Sequence, residues 1–154
     1  MPKIDIEAAR QGSGTRCPAP FNEPCKARKW RMLGEAAGLT QFGVNLVRLP
    51  PGTWSAQRHW HALEDEFVYV LEGELVLVTD KGEEKMVPGD CAGFKTGVPD
   101  GHCFQNRSSS EATLLVVGSR IEGDHGEYPD IDMLFLPYRY TGKGGYTHKD
   151  GTPY

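Results

Sequence analysis

The sequence predicts an all-β protein built as one domain. From Phe42 onward, short runs rich in β-branched and aromatic residues alternate with turn residues, which is the pattern of a sandwich or barrel. Gly and Pro contribute 19 and 11 of the 154 residues. This exceeds their average combined usage of about 12%, and both residues interrupt long helices. A chain of this length fits a single domain and leaves little room for a second one.

The predicted strands follow one another with short turns between them. Pro50-Pro51-Gly52 ends the first strand, and Pro88-Gly89-Asp90 separates two later ones, because these residues favour turns. We predict strands at 42–49, 54–61, 66–72, 74–79, 84–87, 91–95, 102–106, 112–118 and 132–136.

Segments of different character flank the predicted barrel of residues 39–118. Residues 1–38 are polar and interrupted by prolines, so we expect an N-terminal arm that lies on the domain with Trp30 among its anchors. Residues 119–154 are Gly-rich but contain several tyrosines. We expect this C-terminal extension to pack on the barrel or on a partner subunit.

Composition and charge argue against several classes of partner. The chain has 17 basic and 21 acidic side chains, for a formal charge of −4, so it lacks the positive field of a nucleic-acid binder. Its apolar runs are too short to span a membrane, and residues 1–10 lack the pattern of a secretory signal. We therefore expect a cytoplasmic protein, with no nucleic-acid or membrane partner, whose four cysteines are reduced thiols.

The segment from Gly52 to Glu66 carries the most informative spacing. Because side chains alternate along a strand, His59 and His61 are expected on the same face. Glu66 opens the next predicted strand, and two imidazoles with one carboxylate suit a divalent transition metal. Glu64, two residues earlier, is the alternative carboxylate.

A third histidine follows the turn at residues 97–101. It is His102, and strand alternation places it on one face with Phe104 and Asn106. Taken singly, each candidate ligand fits a surface histidine or an acid in a charged turn. The joint spacing favours a metal site made of His59, His61, Glu66 and His102.

Two further residues are candidate substrate contacts. Gln57 shares the face of His59 and His61, so it either contacts a substrate or packs behind the ligands. Phe104 is expected to line the cavity. The sequence identifies no catalytic residue, and Asp124 is one of several tail residues that could cap the cavity mouth.

The sequence resembles the cupin superfamily in two motifs. The first motif is matched by Gly52, His59, His61, Glu66 and Gly73, with one residue more than usual after the first glycine. The second is matched by Gly93, Pro99, Gly101, His102 and Asn106, without the two residues that usually precede the histidine. The resemblance covers about residues 42–118, and the flanking segments look like those of short bacterial cupins described as conserved double-stranded β-helix proteins.

The resemblance implies a single jelly-roll barrel whose cavity holds one divalent transition metal. The implied ligands are the four residues named above, and the ion is Fe, Mn, Ni, Co, Cu or Zn, among which the sequence does not choose. Four protein ligands leave room for water or a bidentate oxygen ligand. Cupins often dimerise, so we expect a homodimer.

These features lead to two functional hypotheses. The first is a metal-dependent enzyme that acts on a small oxygen-rich molecule, such as a sugar, a sugar acid, or a hydroxy or keto acid, by isomerase-, lyase- or dioxygenase-type chemistry. The alternative is a non-catalytic small-ligand-binding or sensor cupin. Titratable side chains beside the metal position favour the enzyme, whereas a purely apolar cavity favours the binder.

Overall fold

Antiparallel β-sheet makes up nearly all regular structure in the computed structural model, which describes residues 3–154. The all-β prediction is therefore confirmed. Two short helices occur within the described residues: a 3-10 helix, Glu23–Cys25, precedes the second strand, and α1 (Leu33–Ala36) follows it. The strands are β1 (Gln11–Ser13), β2 (Lys29–Met32), β3 (Phe42–Leu49), β4 (Trp60–His61), β5 (Glu66–Glu72), β6 (Leu75–Thr79), β7 (Gly82–Met86), β8 (Cys91–Phe94), β9 (Cys103–Gln105), β10 (Ala112–Ser119), β11 (Gly126–Tyr128), β12 (Met133–Phe135) and β13 (Tyr146–Thr147).

The strands form three sheets. The largest has the order β1-β2-β3-β10-β5-β8, the second β13-β12-β11-β4, and the third β7-β6-β9. Isolated bridges join Trp54 to Gln105 and His59 to His102, so the second and third sheets meet beside the strand that carries His61. The bridge between His59 and His102 thereby brings two distant parts of the chain together at the candidate site.

The main core lies between the six-stranded and the three-stranded sheets. Along β5, Val68 and Val70 are fully buried while Phe67 and Leu71 are exposed, as expected for a strand with one face on a core. Each fully buried aliphatic side chain stabilises the fold by about 1.5–3 kcal/mol. The buried cluster consists of Val47, Leu49, Val68, Val70, Leu75, Leu77, Met86, Phe104, Ala112 and Leu114.

The central strands agree closely with the sequence prediction. β3 and β5 have the predicted bounds, and β10 extends one residue further. The predicted strand 54–61 is wrong over most of its length, since only Trp60–His61 is a strand. Side-chain bonds hold the preceding residues to other segments instead: the Gln57 amide donates to the carbonyl of Phe21, and Arg58 pairs with Asp130.

Both flanking segments contribute strands that the sequence did not predict. β2 pairs with β3 from Lys29↔Arg48 to Met32↔Asn45, so the N-terminal segment extends the large sheet. At the other end of the chain, β11 pairs with β4 and places the C-terminal segment beside His61. These strands are only two to four residues long, which leaves too little alternation to recognise. The division into arm, barrel and extension stays a prediction.

All four cysteines are free thiols in the structure. Three of them are buried and Cys91 is exposed. Over residues 3–154, the structure contains no helix with the length and apolar character needed to cross a membrane.

Candidate metal centre

Two backbone hydrogen bonds hold His59 beside His102. The amide of His59 donates to the carbonyl of His102 at 3.2 Å, and the amide of His102 donates back at 2.9 Å. The centroids of these two rings are 5.0 Å apart, and the ring of His61 lies 5.0 Å from that of His59. Three imidazoles from two chain segments therefore converge.

Glu66 faces these histidines from the first residue of β5. Its Oε2 lies 3.7 Å from Nε2 of His61 and 3.6 Å from Nε2 of His102. The possible ligand atoms of His59, His61 and Glu66 all lie within 4.8 Å of one another. The structure thus brings together the four residues that the sequence singled out as candidate ligands.

Hydrogen bonds behind two of the rings determine which nitrogen faces the centre. Nδ1 of His59 donates to the carbonyl of Gln57 at 2.8 Å, and Nδ1 of His61 donates to Oδ2 of Asp124 at 2.7 Å. Because a carbonyl and a carboxylate only accept, the proton of each neutral ring is on Nδ1 and the lone pair is on Nε2. This is the tautomer that metal-binding histidines require.

Among residues 3–154, His102 has no hydrogen-bond partner on either ring nitrogen, although both atoms are shielded from solvent. Phe94 stacks on its ring with a centroid distance of 3.4 Å and an interplanar angle of 5°. A buried polar atom without a partner is costly and calls for an explanation, such as an ion or ligand. A metal at the centre of the cluster would satisfy Nε2 of His102.

The electrostatics of the cluster favour a neutral His59 and an ionised Glu66. Burial, together with the neighbouring His102 and His61, lowers the pKa of His59 to about 3. Burial raises the pKa of Glu66, but the close approach of His102 and the electrostatic effect of all three imidazoles outweigh it, so this pKa lies well below its usual range. At neutral pH, His59 and Glu66 therefore have the protonation states that metal ligands need.

A second buried network lies behind His61 and includes Glu64. Asp124 accepts from His61 and from the amide of Leu63, and its pKa is lowered by these bonds despite the opposing effect of burial. Nη2 of Arg139 approaches Asp124 at 3.4 Å and also donates to Glu64. A carboxylate oxygen of Glu64 lies within 4.8 Å of His61 and Asp124. The Glu64 carboxylate is already engaged in an ion pair with Arg139.

The C-terminal segment also supplies aromatic walls to the cluster. The ring of Tyr128 lies 5.6 Å from that of His59, and the ring of Phe135 lies 5.1 Å from that of His61. Neither these aromatic residues nor the hydrogen bond that His61 donates to Asp124 was predicted, because nothing in the sequence indicates that β11 pairs with β4.

The two predicted substrate contacts lie in different surroundings. The side-chain amide of Gln57 donates to the carbonyl of Phe21 at 2.8 Å, which ties the N-terminal segment to the site. Phe104 is 2% exposed and belongs to the main core, where its ring meets Phe94 edge to face. A contact of either residue with substrate stays a prediction.

A cavity of about 230 Å³ opens beside His61 and His102. A larger groove of about 290 Å³ lies along β1–β3, away from the cluster, and is lined by side chains such as Lys29 and Arg48. The cavity beside the histidines combines apolar and charged side chains: Trp60, Phe94, Val98, Glu64, Lys81, Lys95 and Asp100. Titratable groups therefore surround the space next to the candidate ligands.

The donor set fits a divalent transition metal. Three imidazole nitrogens and one carboxylate oxygen suit Fe, Mn, Co, Ni, Cu and Zn alike, so the ligands alone do not select among them. The unpartnered Nε2 of His102 and the two oriented Nε2 atoms of His59 and His61 all support this fit.

Comparisons with known proteins identify the family. A family model described as a cupin domain matches residues 45–118. A solved structure of a sugar phosphate isomerase from a cupin superfamily, from Silicibacter pomeroyi, is 47% identical, covers 99% of this chain and 96% of its own, and has a TM-score of 0.94. A putative sugar phosphate isomerase from Acidithiobacillus ferrooxidans is 28% identical, with 83% and 80% coverage and a TM-score of 0.75.

A more distant structure shares the fold. It is a predicted oxalate decarboxylase from Thermotoga maritima, 19% identical over 77% of this chain and 99% of its own, with a TM-score of 0.62. Comparison with curated proteins gives no match. The match to the Silicibacter pomeroyi structure spans nearly the whole length of both chains. The two cupin motifs of this sequence contain the four candidate ligands. This chain therefore belongs to the cupin superfamily.

Proposed function

We propose that this protein is a metal-dependent isomerase that acts on a phosphorylated sugar. The observation that carries the proposal is the convergence of His59, His61, His102 and Glu66, with the Nδ1 protons of two rings held away from the centre. These four side chains would hold the ion. A bound divalent ion supplies a Lewis acid that polarises a carbonyl or hydroxyl oxygen.

The choice of isomerisation among cupin reactions is supported by similarity. The Silicibacter pomeroyi protein, whose chain matches this one at 47% identity over nearly its whole length, is described as a sugar phosphate isomerase. A relative at 28% identity carries the same description, qualified as putative. Because one fold hosts many reactions, similarity of fold alone does not identify the reaction. The proposal of an isomerase therefore depends on the similarity and on the candidate metal centre together.

The cavity suits a small polar substrate. Its volume of about 230 Å³ lies somewhat below the usual range of about 300–1,000 Å³ for ligand pockets. Trp60 and Phe94 provide apolar walls, while Lys81, Lys95 and Asp100 provide charges that can orient hydroxyl and anionic groups. These titratable side chains favour an enzyme over the alternative, a non-catalytic ligand-binding or sensor cupin.

Isomerisation through an enediol moves one proton between neighbouring carbon atoms of the substrate and another between their oxygen atoms, so this route needs a side chain that accepts and returns a proton. Glu64 is a poor candidate for the base because its carboxylate accepts from the amide of Ile121, from Arg139 and from the hydroxyl of Tyr140. We assign it the role of holding Arg139 in place. Asp100 lines the cavity with one oxygen accepting from the amide of Asp80, and it is the carboxylate to test first as the proton carrier.

The proposal is tested by supplying metal-loaded protein with a panel of aldose and ketose phosphates and following their interconversion by NMR. We expect one aldose–ketose pair to interconvert with wild-type protein and with His125→Ala, an exposed histidine outside the cluster. We expect no interconversion with His102→Ala. Saturable binding without turnover of any panel member would instead support the ligand-binding alternative.

We also propose that the protein is a homodimer. Because Val68 and Val70 point into the core, Phe67, Tyr69 and Leu71 lie on the opposite face of β5, where Phe67 and Leu71 are 42% and 41% exposed. On β10, Leu115 lies opposite Tyr69 and Val117 lies opposite Phe67, and these two residues continue the apolar surface. Exposed apolar patches of this kind mark interaction sites, and a second copy of the chain presents the same surface.

A further inference from the structure

Arg28 projects from the N-terminal segment toward the interior of the protein. The amide of Gly14 donates to the carbonyl of Arg28 at 2.8 Å, which continues the pairing of β1 with β2 by one residue. Side chains alternate along this extended backbone, so Arg28 shares a face with Trp30, whose ring packs against the main core. Lys29, between them, is exposed and points to the opposite face.

The segment that carries Arg28 is hydrogen-bonded to the segment before β4 that carries His59. The amide of Trp54 donates to the carbonyl of Pro24 at 2.8 Å, and the side chain of Gln57 donates to the carbonyl of Phe21 at 2.8 Å. The carbonyl of Gln57 in turn accepts from Nδ1 of His59 at 2.8 Å. The N-terminal segment is therefore part of the wall around the candidate metal centre.

The guanidinium of Arg28 lacks the partners that the other shielded arginines have. Arg58 pairs with Asp80 and Asp130, and Arg139 pairs with Glu64. Within residues 3–154, Arg28 has no ion pair. Its side chain makes one hydrogen bond, from Nη1 to the carbonyl of Gly14 at 3.3 Å, and its Nε is shielded from solvent without a partner.

The carboxylate whose charge reaches Arg28 is that of Glu66. Burial lowers the pKa of Arg28, and the charge of Glu66 is among the groups that oppose this shift. Glu66, however, already faces His61 and His102. A buried cation without its own counterion is costly, so the free energy of this arrangement favours an anion bound beside Arg28.

We propose that Arg28 binds the phosphoryl group of the substrate, so that the sugar spans the space between Arg28 and the candidate metal centre. This proposal rests on the proposed function and names the residue that distinguishes a phosphorylated sugar from a free one. A guanidinium offers a planar fork of donors that matches two phosphoryl oxygens, and its Nε is among the donors that such a fork uses.

Lys81 and Lys95 are the rival anion site, since both line the cavity beside His61. Both lysines are exposed. Water satisfies an exposed ammonium at little cost, so the presence of these lysines does not call for a ligand. The Nε of Arg28, by contrast, is shielded and has no partner within residues 3–154, so it does call for a ligand. We therefore favour Arg28 as the anion site.

The test measures binding of inorganic phosphate by calorimetry at pH 8 and low ionic strength, on protein treated with a chelator so that no metal contributes. The variants are Arg28→Gln, the neighbouring control Lys29→Gln, and the double variant Lys81→Gln/Lys95→Gln. We expect phosphate affinity to fall at least tenfold in Arg28→Gln and to stay within twofold in Lys29→Gln. Unchanged affinity in Arg28→Gln, or a loss confined to the double variant, would overturn the proposal.

Melting temperature separates this role from a structural one. Because Arg28→Gln removes an uncompensated charge, its melting temperature without phosphate should equal or exceed that of wild type, and phosphate should raise the wild-type value only. A large drop without phosphate would show that Arg28 is structural. Should the glutamine variant not fold, Arg28→Lys keeps the charge and removes the fork, and it should fold and bind phosphate at least threefold more weakly; equal binding would contradict the proposal.

The two proposals fail in different ways. If metal-loaded protein interconverts a sugar phosphate and Arg28→Gln leaves KM unchanged, the phosphate site is wrong and the isomerase stands. If phosphate binding depends on Arg28 but no sugar phosphate is interconverted, the site stands and the isomerase is wrong. Tight binding of a sugar acid, with loss in Arg28→Gln and no binding of any sugar phosphate, would assign the site to a carboxylate and overturn the phosphoryl assignment.

Discussion

Asp124 accepts a hydrogen bond from Nδ1 of His61 at 2.7 Å, although the two residues are 63 positions apart in the chain. Asp124 is fully buried, and the amide of Leu63 and the guanidinium of Arg139 also approach its carboxylate. The C-terminal segment thereby determines the orientation of an imidazole on β4. A carboxylate behind a ligand also increases the basicity of the nitrogen that faces the metal.

Asp124→Asn should therefore weaken metal binding while leaving the four candidate ligands in place. We expect a loss of about 10- to 100-fold in metal affinity, the usual effect of removing such a partner. Competition with a chelating dye measures it. Asp132→Asn, which alters an exposed carboxylate that bonds His148, is the matched control and should bind metal as wild type does. Equal affinity of the Asp124 variant and the control would contradict the role of Asp124.

Two motif glycines should differ sharply in their tolerance of alanine. Gly73 and Gly52 have φ of +74° and +76°, but a Cβ on Gly73 would lie 2.7 Å from Cα of Ala112, whereas nothing lies within 4 Å of one on Gly52. We expect Gly52→Ala to cost about 1 kcal/mol from the backbone alone, and Gly73→Ala to cost about 3 kcal/mol or more. Urea unfolding measures both, and equal losses would show that the clash is relieved without cost.

The bond between Arg58 and Asp130 should make stability depend on pH in the acid range. The hydrogen bond from Arg58 lowers the pKa of Asp130 below its usual value. The contribution is complete above the unfolded pKa of about 4 and is lost as pH falls through the lower folded value.

Arg58→Gln should thus lower the free energy of unfolding at pH 7, by about 1 kcal/mol for a partly exposed pair, and the difference from wild type should shrink below pH 4. Arg107→Gln, which removes an ion pair with the exposed Glu83, is the control and should change little. Denaturant titrations between pH 2.5 and 7 measure the difference. If the difference in free energy of unfolding between wild type and Arg58→Gln stayed constant over this pH range, the proposed contribution of the Arg58–Asp130 pair would be contradicted.

One of the four cysteines should react readily with a thiol reagent in the folded protein. Burial raises the pKa of Cys25 to about 12 and that of Cys103 to about 11, so neither forms appreciable thiolate at pH 8. Cys17 is also buried, and Cys91 is exposed. Ellman's reagent should modify one thiol in wild type, none in Cys91→Ser, and all four after denaturation; rapid reaction of two or more native thiols would contradict the packing.

The proposed dimer predicts that a charge at the outer face of β5 yields monomers. Phe67→Asp places an unpaired carboxylate in the proposed interface, which disfavours association. Val87→Asp is the control, since Val87 is equally exposed, at 41%, but follows β7 in the other layer. Light scattering coupled to size exclusion measures the mass, and identical masses for the two variants and wild type would refute this interface.

Much of the barrel could be predicted because its strands carry strong local signals. β3 and β5 have clear alternation and turn residues at their ends, and the structure has them at the predicted bounds. The candidate ligands could be found because residues two apart in extended backbone share a face, and the isolated bridge between His59 and His102 keeps the backbone extended just outside β4 and β9.

The remaining parts of the site depend on long-range pairing that leaves no local signal. β11 is three residues long and β4 is two, so their pairing, which brings Asp124 and Phe135 to His61, could not be seen in the sequence. In the sequence, Arg28 is one of four basic residues at positions 26–31, a pattern that usually forms a solvated surface. Its distinction, a shielded guanidinium with no ion pair within residues 3–154, arises from tertiary packing.

Metal content tests the central claim most directly. Elemental analysis of untagged protein should find about one transition-metal ion per chain, as for a closed set of side-chain ligands, in wild type and in His125→Ala. It should find almost none in His59→Ala and His102→Ala, provided that circular dichroism shows both variants folded. Equal metal content in all four proteins, or none in wild type after incubation with each candidate ion, would contradict the account.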